Sequence, residues 1–526
     1  MKTIGINITA LAIGLSACNS APSSSATPRD GGTAGASSSG GAASAGGQSA
    51  GSSTAALAAC AAESPSTIIP ARVRRLSKNE FSRSLEQLLG GPPKVSVDFP
   101  VDPLSGGYDT NANDLRVTSL LANTLFDAVP ALAAQAVATM APCDASACAS
   151  QLLADFARRA YRRVPNAQEL AEIVSVYEAA RVASDATTAL TRAVSVILQS
   201  PDFLYATELG SPDASGKVIT LLPQELATQL SFLVTGGPPD AELSAAAESG
   251  ALSRRDEREA QARRLLQTNG ARAIWNTFAT QWLELTQIDK LDKDATAFPK
   301  WTSERPRMLS DTQTFFTGHV LDQKANFADL LKAGLLTQPA FLAAHAQSLD
   351  DSPVQRGHFV RVRMLCQDIP PPPPTLKVTL PPPDPTLTTR QRIAAHTGGD
   401  SCRGCHTLMN PIGYAFEGFD AMGQPRTTDN GQPVDISGEL TESDVNGAFV
   451  GPEELAARLG QSASARECFA RQWFQFASGM PIASDAARAA LAKEAAPFLE
   501  GSQSIAELTV SLLRSDLFST RCRVEE

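Results

Sequence analysis

One motif, C-x-x-C-H, constrains this chain more than any other feature of its sequence. It lies in the stretch HTGGDSCRGCHTLMNPIGYAFEGFD, residues 396–420, and its members are Cys402, Cys405 and His406. Two thiols at this spacing can meet the two vinyl groups of a haem, and the adjacent imidazole reaches the iron from the same turn. The motif therefore predicts one covalent haem c, with His406 as the proximal iron ligand.

Two other sites fit the same residues. Cys402 and Cys405 could form a disulfide, or zinc could bind the motif with His396 as its fourth ligand. Zinc prefers four nitrogen or sulfur ligands, and the sequence shows no clear set of four such ligands here. Haem is the favoured interpretation, because c-type haem is attached outside the cytoplasm and the N-terminus carries an export signal.

The distal ligand of the predicted haem is left open by the sequence. Met409 lies three residues after His406, so the same turn keeps it on the proximal side. His396 stands six residues before the motif and reaches about 20 Å when extended, enough to cross to the distal face. We expect His396 there, with Met422 and Met480 as alternatives. Two histidines, or His and Met, would indicate electron transfer, whereas an open site would allow peroxide or oxygen chemistry.

Residues 1–18 are interpreted as a lipoprotein signal peptide. MKTIGINITALAIGLSAC has the cation Lys2, an apolar run over residues 8–15, and the lipobox-like tetrapeptide LSAC. The run is too short to span a bilayer, and no later run reaches about 18 apolar residues. We expect Cys18 to be the lipid-modified first mature residue, although an ordinary cleaved signal fits as well. Asn19 after it favours a bacterial outer-membrane location, facing the periplasm or the cell surface.

The Ser/Ala/Gly-rich residues 19–65 are predicted to be a linker. They have too little apolar bulk to offset the entropy of ordering, and about 40 such residues reach roughly 35 Å. The sequence GQSAG at residues 47–51 matches a serine nucleophile elbow, but that motif requires a strand and a helix on either side. We therefore read it as linker composition.

Charge and composition indicate a mainly α-helical body without a nucleic-acid partner. The net charge is −10, and no basic stripe stands out. Ser77 and Glu80 form a capping-box signature at the start of the first helix. The apolar face of that helix is formed by Phe81, Leu85, Leu88 and Leu89. A second stripe at helical spacing, expected in the core, is formed by Trp275, Phe278, Trp282 and Leu285.

The loop GGYDTNAND has the oxygen-rich alternation of a calcium loop at Asp109, Asn111 and Asn113. Asp114 stands where such a loop needs glycine, and no glutamate closes it. We expect a structural loop rather than a calcium site.

Six cysteines remain once Cys18 and the two motif cysteines are set aside, and an even number suits three disulfides in an exported protein. Cys143 and Cys148 could close a small local loop, and Cys468 and Cys522 bracket the last segment and could staple it. The remaining two candidates are Cys60 and Cys366.

Changes in composition divide the chain into segments. The run beginning at Pro370 must be extended polyproline or turns, and it marks a boundary that we interpret as a stiff spacer. The predicted segments are a helical domain at 66–140, a second at 141–212, a central helical domain at 213–350, an arm with a Pro-rich linker at 351–385, a cytochrome-c-like haem domain at 386–447 and a C-terminal helical domain at 448–526.

Several motifs, in this order, resemble a known family over roughly residues 68–522. They include RRLSKNEFSRSLEQLLG, YRRVPNAQEL, ELATQLSFLVTGGPPDAEL, QWLEL, SPVQRGHFVRVRMLCQDIPPPPP and CRGCHTLMNPIGYAFEGFDAMGQPR. They resemble the secreted, cytochrome-c-like multidomain proteins of planctomycetes and myxobacteria, built from domains of unknown function 1587, 1595, 1592, 1588 and 1585 in tandem. The resemblance implies an exported haem protein with redox activity and no established substrate.

The resemblance also implies roles for residues after the motif. Arg426 would neutralise a haem propionate, and Glu417 or Asp420 would orient His406 or Arg426; the alternative is an Asp/Arg pair that fixes a loop. Asn410 stands where the family often has Asp. Met422 stands where Ile or Val is frequent. The other positions that follow the family pattern are Pro411, Gly413, Phe419 and Gly423.

Three classes of function are therefore expected. The leading one is an outer-membrane lipoprotein with one haem c that transfers electrons to or from a redox partner protein. The second is a haem-dependent oxidoreductase resembling a peroxidase or an oxygenase. The third is a polysaccharide- or partner-binding module in which the two motif cysteines form a disulfide.

Overall fold

The computed structural model describes residues 60, 62, 64–141, 143, 145–370, 384–482 and 484–524 of the 526-residue chain. The expected signal peptide with Cys18, most of the linker and residues 371–383 of the Pro-rich stretch lie outside these residues. The structure is 59% helical and 7% strand, with 22 α-helices in the described parts. The predicted mainly α fold class is confirmed.

The N-terminal helices form a core of their own. The capping box predicted at Ser77 is present: Glu80 N donates to its side chain, and the Glu80 carboxylate accepts from Ser77 N. The four residues of the predicted apolar face are all buried. The elements are β1 (Arg72–Arg75), α1 (Lys78–Leu89), α2 (Ser119–Val137), α3 (Ser146–Tyr161), α4 (Ala167–Arg181), α5 (Ala186–Gln199), α6 (Pro201–Leu204) and β2 (Tyr205–Glu208), which pairs antiparallel with β1.

Among the described helices, one, α2, is long and apolar enough to cross a membrane by length and composition alone. Asn123, Asp127 and Gln135 interrupt its apolar sequence. Leu121, Leu125 and other residues on one side of it are buried in the N-terminal core. The core helix of a folded domain meets the same criteria.

The central helices contribute to the largest core, which also includes residues from the C-terminal part. The predicted stripe is buried there, and Trp275 stacks on Trp473 with ring centroids 3.8 Å apart. The elements are β3 (Val218–Thr220), α7 (Pro223–Thr235), α8 (Ala241–Glu248), α9 (Arg255–Leu265), α10 (Asn269–Trp282), α11 (Trp301–Thr317), α12 (Phe327–Lys332) and α13 (Pro339–Ala344).

The C-terminal part carries the C-x-x-C-H motif, and its last residues lie beside Pro70, near the first strand. Its last strand pairs antiparallel with β3. The elements are α14 (Pro353–Phe359), α15 (Thr389–Thr397), α16 (Asp400–Gly413), β4 (Thr428–Asp429), β5 (Gln432–Pro433), β6 (Ser437–Leu440), β7 (Gly447–Val450), α17 (Gly451–Gln461), α18 (Ala463–Ser478), α19 (Asp485–Glu494), α20 (Ala496–Leu499), α21 (Ile505–Arg514), α22 (Asp516–Ser519) and β8 (Thr520–Cys522). β4 pairs with β5 and β6 with β7, both antiparallel.

Three disulfides connect the six remaining cysteines. Cys143 and Cys148 close the small loop that their spacing suggested. The expectation that Cys468 and Cys522 staple the last segment to itself is wrong. Cys468 lies on α18 against the end of the arm and bonds to Cys366. Cys522 lies on β8 and bonds to Cys60, so the two ends of the body are joined.

Candidate functional site

Helix α16 carries the whole C-x-x-C-H motif. Because it runs from Asp400 to Gly413, positions 402 and 405 lie one turn apart on it, and His406 follows at once. Cys405 and His406 are half-buried. Cys405 takes part in no disulfide with any described residue. The helix thus has the residue spacing that covalent haem attachment requires.

The imidazole of His406 is held by a side chain one turn further along α16. Its Nδ1 lies 3.0 Å from Asn410 Oδ1. An amide oxygen can only accept, so Nδ1 carries a hydrogen, and in the neutral tautomer that this contact selects Nε2 is the nitrogen with the lone pair. Asn410 is buried, and its Nδ2 donates to Thr397 Oγ1 at 2.9 Å. Helix α15 therefore holds the side-chain amide of Asn410 in place, and Asn410 in turn orients the ring of His406.

The role of Asn410 was missed at the sequence level, where it was noted only as a departure from the family pattern. The signal was available, because His406 and Asn410 are four residues apart and such pairs meet on a helix. The contact with Thr397 could not be read in the same way, since it joins two helices.

Helix α16 packs against α14 backbone to backbone. A Cβ added at Gly357 would lie 1.9 Å from Met409 O, and one added at Gly413 would lie 1.8 Å from Pro353 O. A third glycine, Gly438 on β6, approaches the helix in the same manner. Glycine is required at such contacts because any side chain would push the two backbones apart.

Buried arginines of the arm anchor the chain directly after the motif. Arg356 is 0% exposed and donates to the carbonyl oxygens of Phe416 at 2.9 Å and Asp420 at 3.1 Å. Arg361 donates from Nε to Leu408 O, within α16, at 2.9 Å. The segment 351–364 therefore forms part of the support of the motif helix.

Arg426 is engaged by protein groups. Its Nη2 donates to Asp351 at 2.8 Å, its Nε to the carbonyl oxygen of Glu417 at 2.8 Å, and its Nη1 to Asp429 at 3.2 Å. These contacts support the alternative expectation of an ion pair that fixes a loop over the propionate role implied by the resemblance. The physical reason is that three acceptor groups of the protein already accept hydrogen bonds from the guanidinium of Arg426.

Of the two expected orienting carboxylates, Glu417 lies beside Arg426, one of its expected partners, and Asp420 closes a turn. Asp420 accepts from the backbone N–H groups of Met422 and Gln424 at 2.8 Å and so closes a turn. Glu417 lies against Arg426, with 3.6 Å between their charged atoms. Among the described residues, the side-chain amide of Asn410 is the group that orients His406.

Glu417 is almost fully buried beside a second carboxyl group. Its side chain is 1% exposed, and so is that of Asp351. Burial raises the pKa of Glu417 well above its usual range, and the neighbouring Asp351 raises it further. Burial also raises the pKa of Asp351. The fold therefore favours the protonated form of Glu417 more than the unfolded chain does.

The three expected distal ligands lie in different surroundings. His396 is exposed on α15, directly before Thr397. Met422 is buried in the main core, where its sulfur accepts from Gln424 Nε2 at 3.8 Å. Met480 is half-buried against the same core, after the C-cap of α18. Of the three, only His396 lies on the helix that contacts Asn410.

Other metal sites were also considered. No group of three or more His, Cys, Asp or Glu residues that could hold a metal ion is present among the described residues. In the loop considered for calcium, Asn111 Oδ1 accepts from Asn113 N at 3.1 Å, which closes a turn within the loop.

Models of known protein families match several parts of the chain. Five models, each described as "Protein of unknown function", match consecutive parts of the chain: DUF1587 at 74–138, DUF1595 at 148–208, DUF1592 at 221–346, DUF1588 at 332–429 and DUF1585 at 447–518. No curated protein and no solved structure matches the chain.

The model that covers α14, α15 and α16 is named PSCyt3. A mainly α fold with its C-x-x-C-H helix inside that match defines a cytochrome-related protein. The chain belongs to the family in which these five domains stand in tandem.

Proposed function

We propose that this chain is an exported lipoprotein that carries one covalent haem c and transfers electrons at the bacterial outer membrane. Cys402 and Cys405 would hold the porphyrin, and His406 would be the proximal iron ligand. A haem bound there supplies one-electron redox chemistry.

The hydrogen bond between His406 and Asn410 carries this proposal. A histidine that binds a metal through Nε2 commonly donates its Nδ1 hydrogen to an oxygen acceptor, which fixes the tautomer and the plane of the ring. Asn410 Oδ1 is such an acceptor at 3.0 Å, and its own position is fixed by Thr397. The arrangement serves no evident purpose for a histidine beside a simple disulfide.

His396 is retained as the proposed distal ligand, with Met422 and Met480 as alternatives. Its support is its exposure on α15, whereas both methionines pack against the main core. Ligation by two histidines favours electron transfer over oxygen chemistry.

Membrane attachment and partners are also part of the proposal. The LSAC sequence supports lipid attachment at Cys18, and a linker of about 40 residues allows the body to extend roughly 35 Å from the lipid. The electrons would pass to or from a partner protein that docks on the body.

The test is an absorption spectrum of oxidised and dithionite-reduced protein, with a pyridine haemochrome assay, after expression with a c-type haem maturation system. The wild type is expected to give a covalent c-type signal that Cys402→Ala/Cys405→Ala abolishes. Cys143→Ala/Cys148→Ala is the matched control, because it removes another closely spaced cysteine pair and should keep the haem.

The same spectra decide between the alternatives. A five-coordinate ferric iron would argue for the haem-dependent oxidoreductase. Absence of haem under these conditions would contradict the proposal and leave the binding module, with Cys402 and Cys405 as a disulfide. Labelling with a fatty acid that disappears in Cys18→Ser tests the anchor separately.

A further inference from the structure

A partly open pocket lies between α1, α3, α7 and α8. It encloses space of about 60 Å³, which is room for about four water molecules or for one tetrahedral anion the size of phosphate. None of the residues that line it belongs to the motif helix or to the arm that supports that helix.

Four arginines at the end of α3 line this pocket, namely Arg158, Arg159, Arg162 and Arg163. Like charges this close together repel one another, which is unfavourable unless anions offset them. Arg158 pairs with Glu248, on the opposite side of the pocket, at 3.2 Å. Arg163 pairs with Glu169 at 2.7 Å and with Asp202 at 2.6 Å. Two of the four guanidinium groups therefore have carboxylate partners.

Arg159 has no ion-pair partner among the described residues. Its side chain is exposed, and its Nε donates to the carbonyl oxygen of Asp155 at 3.4 Å. The carboxylate of Asp155 accepts from Gln151 instead. Both Nη groups of Arg159 are thus left to donate to a ligand.

Arg162 also lacks a carboxylate partner in the part of the chain that the structure describes. Its two Nη groups donate to four carbonyl oxygens, those of Ala160, Asp202, Phe203 and Tyr205. These oxygens fix the guanidinium in place but carry no net charge. Burial lowers the pKa of Arg162 to about 10, so the group is still cationic at neutral pH. The pocket therefore has two positive charges without a counter-ion.

Three neutral side chains add hydrogen-bonding groups to the lining. They are Gln87 on α1, Gln224 on α7 and Ser244 on α8. None of the three has a side-chain hydrogen bond with a described residue. Gln87 is exposed, and the polar atoms of the half-buried Gln224 and Ser244 are accessible to solvent. Amide and hydroxyl groups can donate, so the lining suits a ligand rich in acceptor oxygens.

We propose that this pocket binds the phosphate group of an organic phosphate monoester. Such a group carries a charge of about −1.5 to −2 at pH 7, which matches the two unpaired guanidinium groups, whereas a carboxylate or a sulfate monoester carries a single charge. Guanidinium groups also match phosphate oxygens in geometry. The organic part of the ester would extend through the opening, because the pocket has room for the phosphate group alone. The site is independent of the haem proposal, since the two share no residue.

The experiment is isothermal titration calorimetry of the full mature chain at pH 7 with methyl phosphate and methyl sulfate. Methyl phosphate is expected to bind saturably, and methyl sulfate, which has the same shape and less charge, about tenfold more weakly. This comparison uses the wild type alone, so it does not depend on the folding of any variant. The proposal is overturned if methyl phosphate does not bind or if methyl sulfate binds equally well.

Two variants should shift the affinity in opposite directions. Arg159→Gln should weaken methyl phosphate binding about tenfold, because it removes one of the two unpaired charges. Glu248→Gln should tighten binding about threefold, because it removes the carboxylate from the lining and releases Arg158. A damaged fold cannot produce tighter binding. Arg192→Gln, at an exposed position of α5, is the matched control and should change nothing. Equal losses in Arg159→Gln and Arg192→Gln would overturn the proposal, because they would indicate non-specific attraction to the surface.

A vesicle assay distinguishes the two sources of such a phosphate group. The full chain with Cys18→Ser, which cannot carry the expected lipid, is mixed with vesicles of phosphatidylcholine with or without phosphatidic acid. Binding only to the vesicles with phosphatidic acid, reduced by Arg159→Gln and by methyl phosphate, would identify a membrane lipid as the ligand. Binding of methyl phosphate without binding to these vesicles would identify a soluble ester. Either result supports the pocket.

Discussion

His406 Nδ1 and Asn410 Oδ1 lie 3.0 Å apart, one turn from each other on the helix that carries the C-x-x-C-H motif. If the proposed haem is bound, the strength of this hydrogen bond sets how strongly the imidazole donates to the iron. Asn410→Asp should therefore stabilise the ferric state and lower the reduction potential, and Asn410→Leu should raise it. Each tenfold change in relative affinity for the two iron states corresponds to about 60 mV. Spectroelectrochemical titration measures the potentials.

Two threonine variants serve as comparisons for this prediction. Thr397→Val removes the group that holds the amide and should produce a smaller rise in potential than Asn410→Leu. Thr407→Val, at an exposed position of the same helix, should leave the potential unchanged. Equal potentials in wild type, Asn410→Asp and Asn410→Leu would show that Asn410 does not influence the iron.

Local patterns in the sequence predicted local structure correctly. The capping box at Ser77 and the buried stripe from Trp275 to Leu285 depend only on residues within a turn or two of each other. The disulfide between Cys143 and Cys148 is local in the same sense. None of these three predictions required knowledge of the contacts between distant segments.

Features that depend on tertiary contacts could not be predicted in this way. Cys366 pairs with Cys468 across 102 residues, and nothing local distinguishes this partner from the others. The sequence left a propionate role and an Asp/Arg pair as alternatives for Arg426, because its contact with Asp351, 75 residues away, could not be read from local spacing. The motif itself was recognised, but the glycine contacts that support its helix became evident only in the structure.

The close contact of α14 and α16 predicts that alanine at Gly357 is not tolerated. Its Cβ would lie 1.9 Å from Met409 O, which is backbone and cannot move aside alone. Gly357→Ala should lower the free energy of unfolding by about 3 kcal/mol or more, in the range of severe overpacking. Denaturant unfolding followed by circular dichroism measures the change.

The matched control is Gly404→Ala, on α16 itself. Apart from its own helix backbone and chain neighbours, no atom of the described residues lies within 4 Å of a Cβ at this position, so alanine should leave stability unchanged or raise it by up to about 1 kcal/mol through helix propensity. Similar effects of the two substitutions would contradict the backbone contact between α14 and α16.

The disulfide between Cys60 and Cys522 should contribute more stability than the one between Cys143 and Cys148. The first closes a separation of 462 residues and the second only 5, and the entropy removed from the unfolded chain grows with loop length. By the chain-entropy relation, replacing both cysteines by serine should cost about 6 kcal/mol for the long loop and about 2 kcal/mol for the short one. Denaturant unfolding of the two double variants measures the difference, and the reverse order would argue against the pairing of the two ends.

The buried pair of Glu417 and Asp351 predicts a dependence of stability on pH. In the unfolded chain Glu417 titrates near pH 4.3, whereas in the fold burial raises its pKa well above that value. Below about pH 4 both states hold the proton, and this stabilisation is fully present. As the pH rises towards the folded-state pKa, only the unfolded chain releases the proton, so the free energy of unfolding falls by up to about 1.4 kcal/mol per pH unit.

Glu417→Gln isolates this contribution, because its amide keeps a hydrogen-bond donor beside Asp351 and cannot titrate. The difference in unfolding free energy between Glu417→Gln and wild type should therefore grow in favour of the variant as the pH rises above about 4.3, where the unfolded chain ionises. Glu178→Gln removes an exposed carboxylate and should show a flat difference over the same range. Urea unfolding at each pH measures these values. Parallel pH profiles for wild type and Glu417→Gln would mean that Glu417 is ionised in the fold, with Arg426 and Arg356 offsetting its burial.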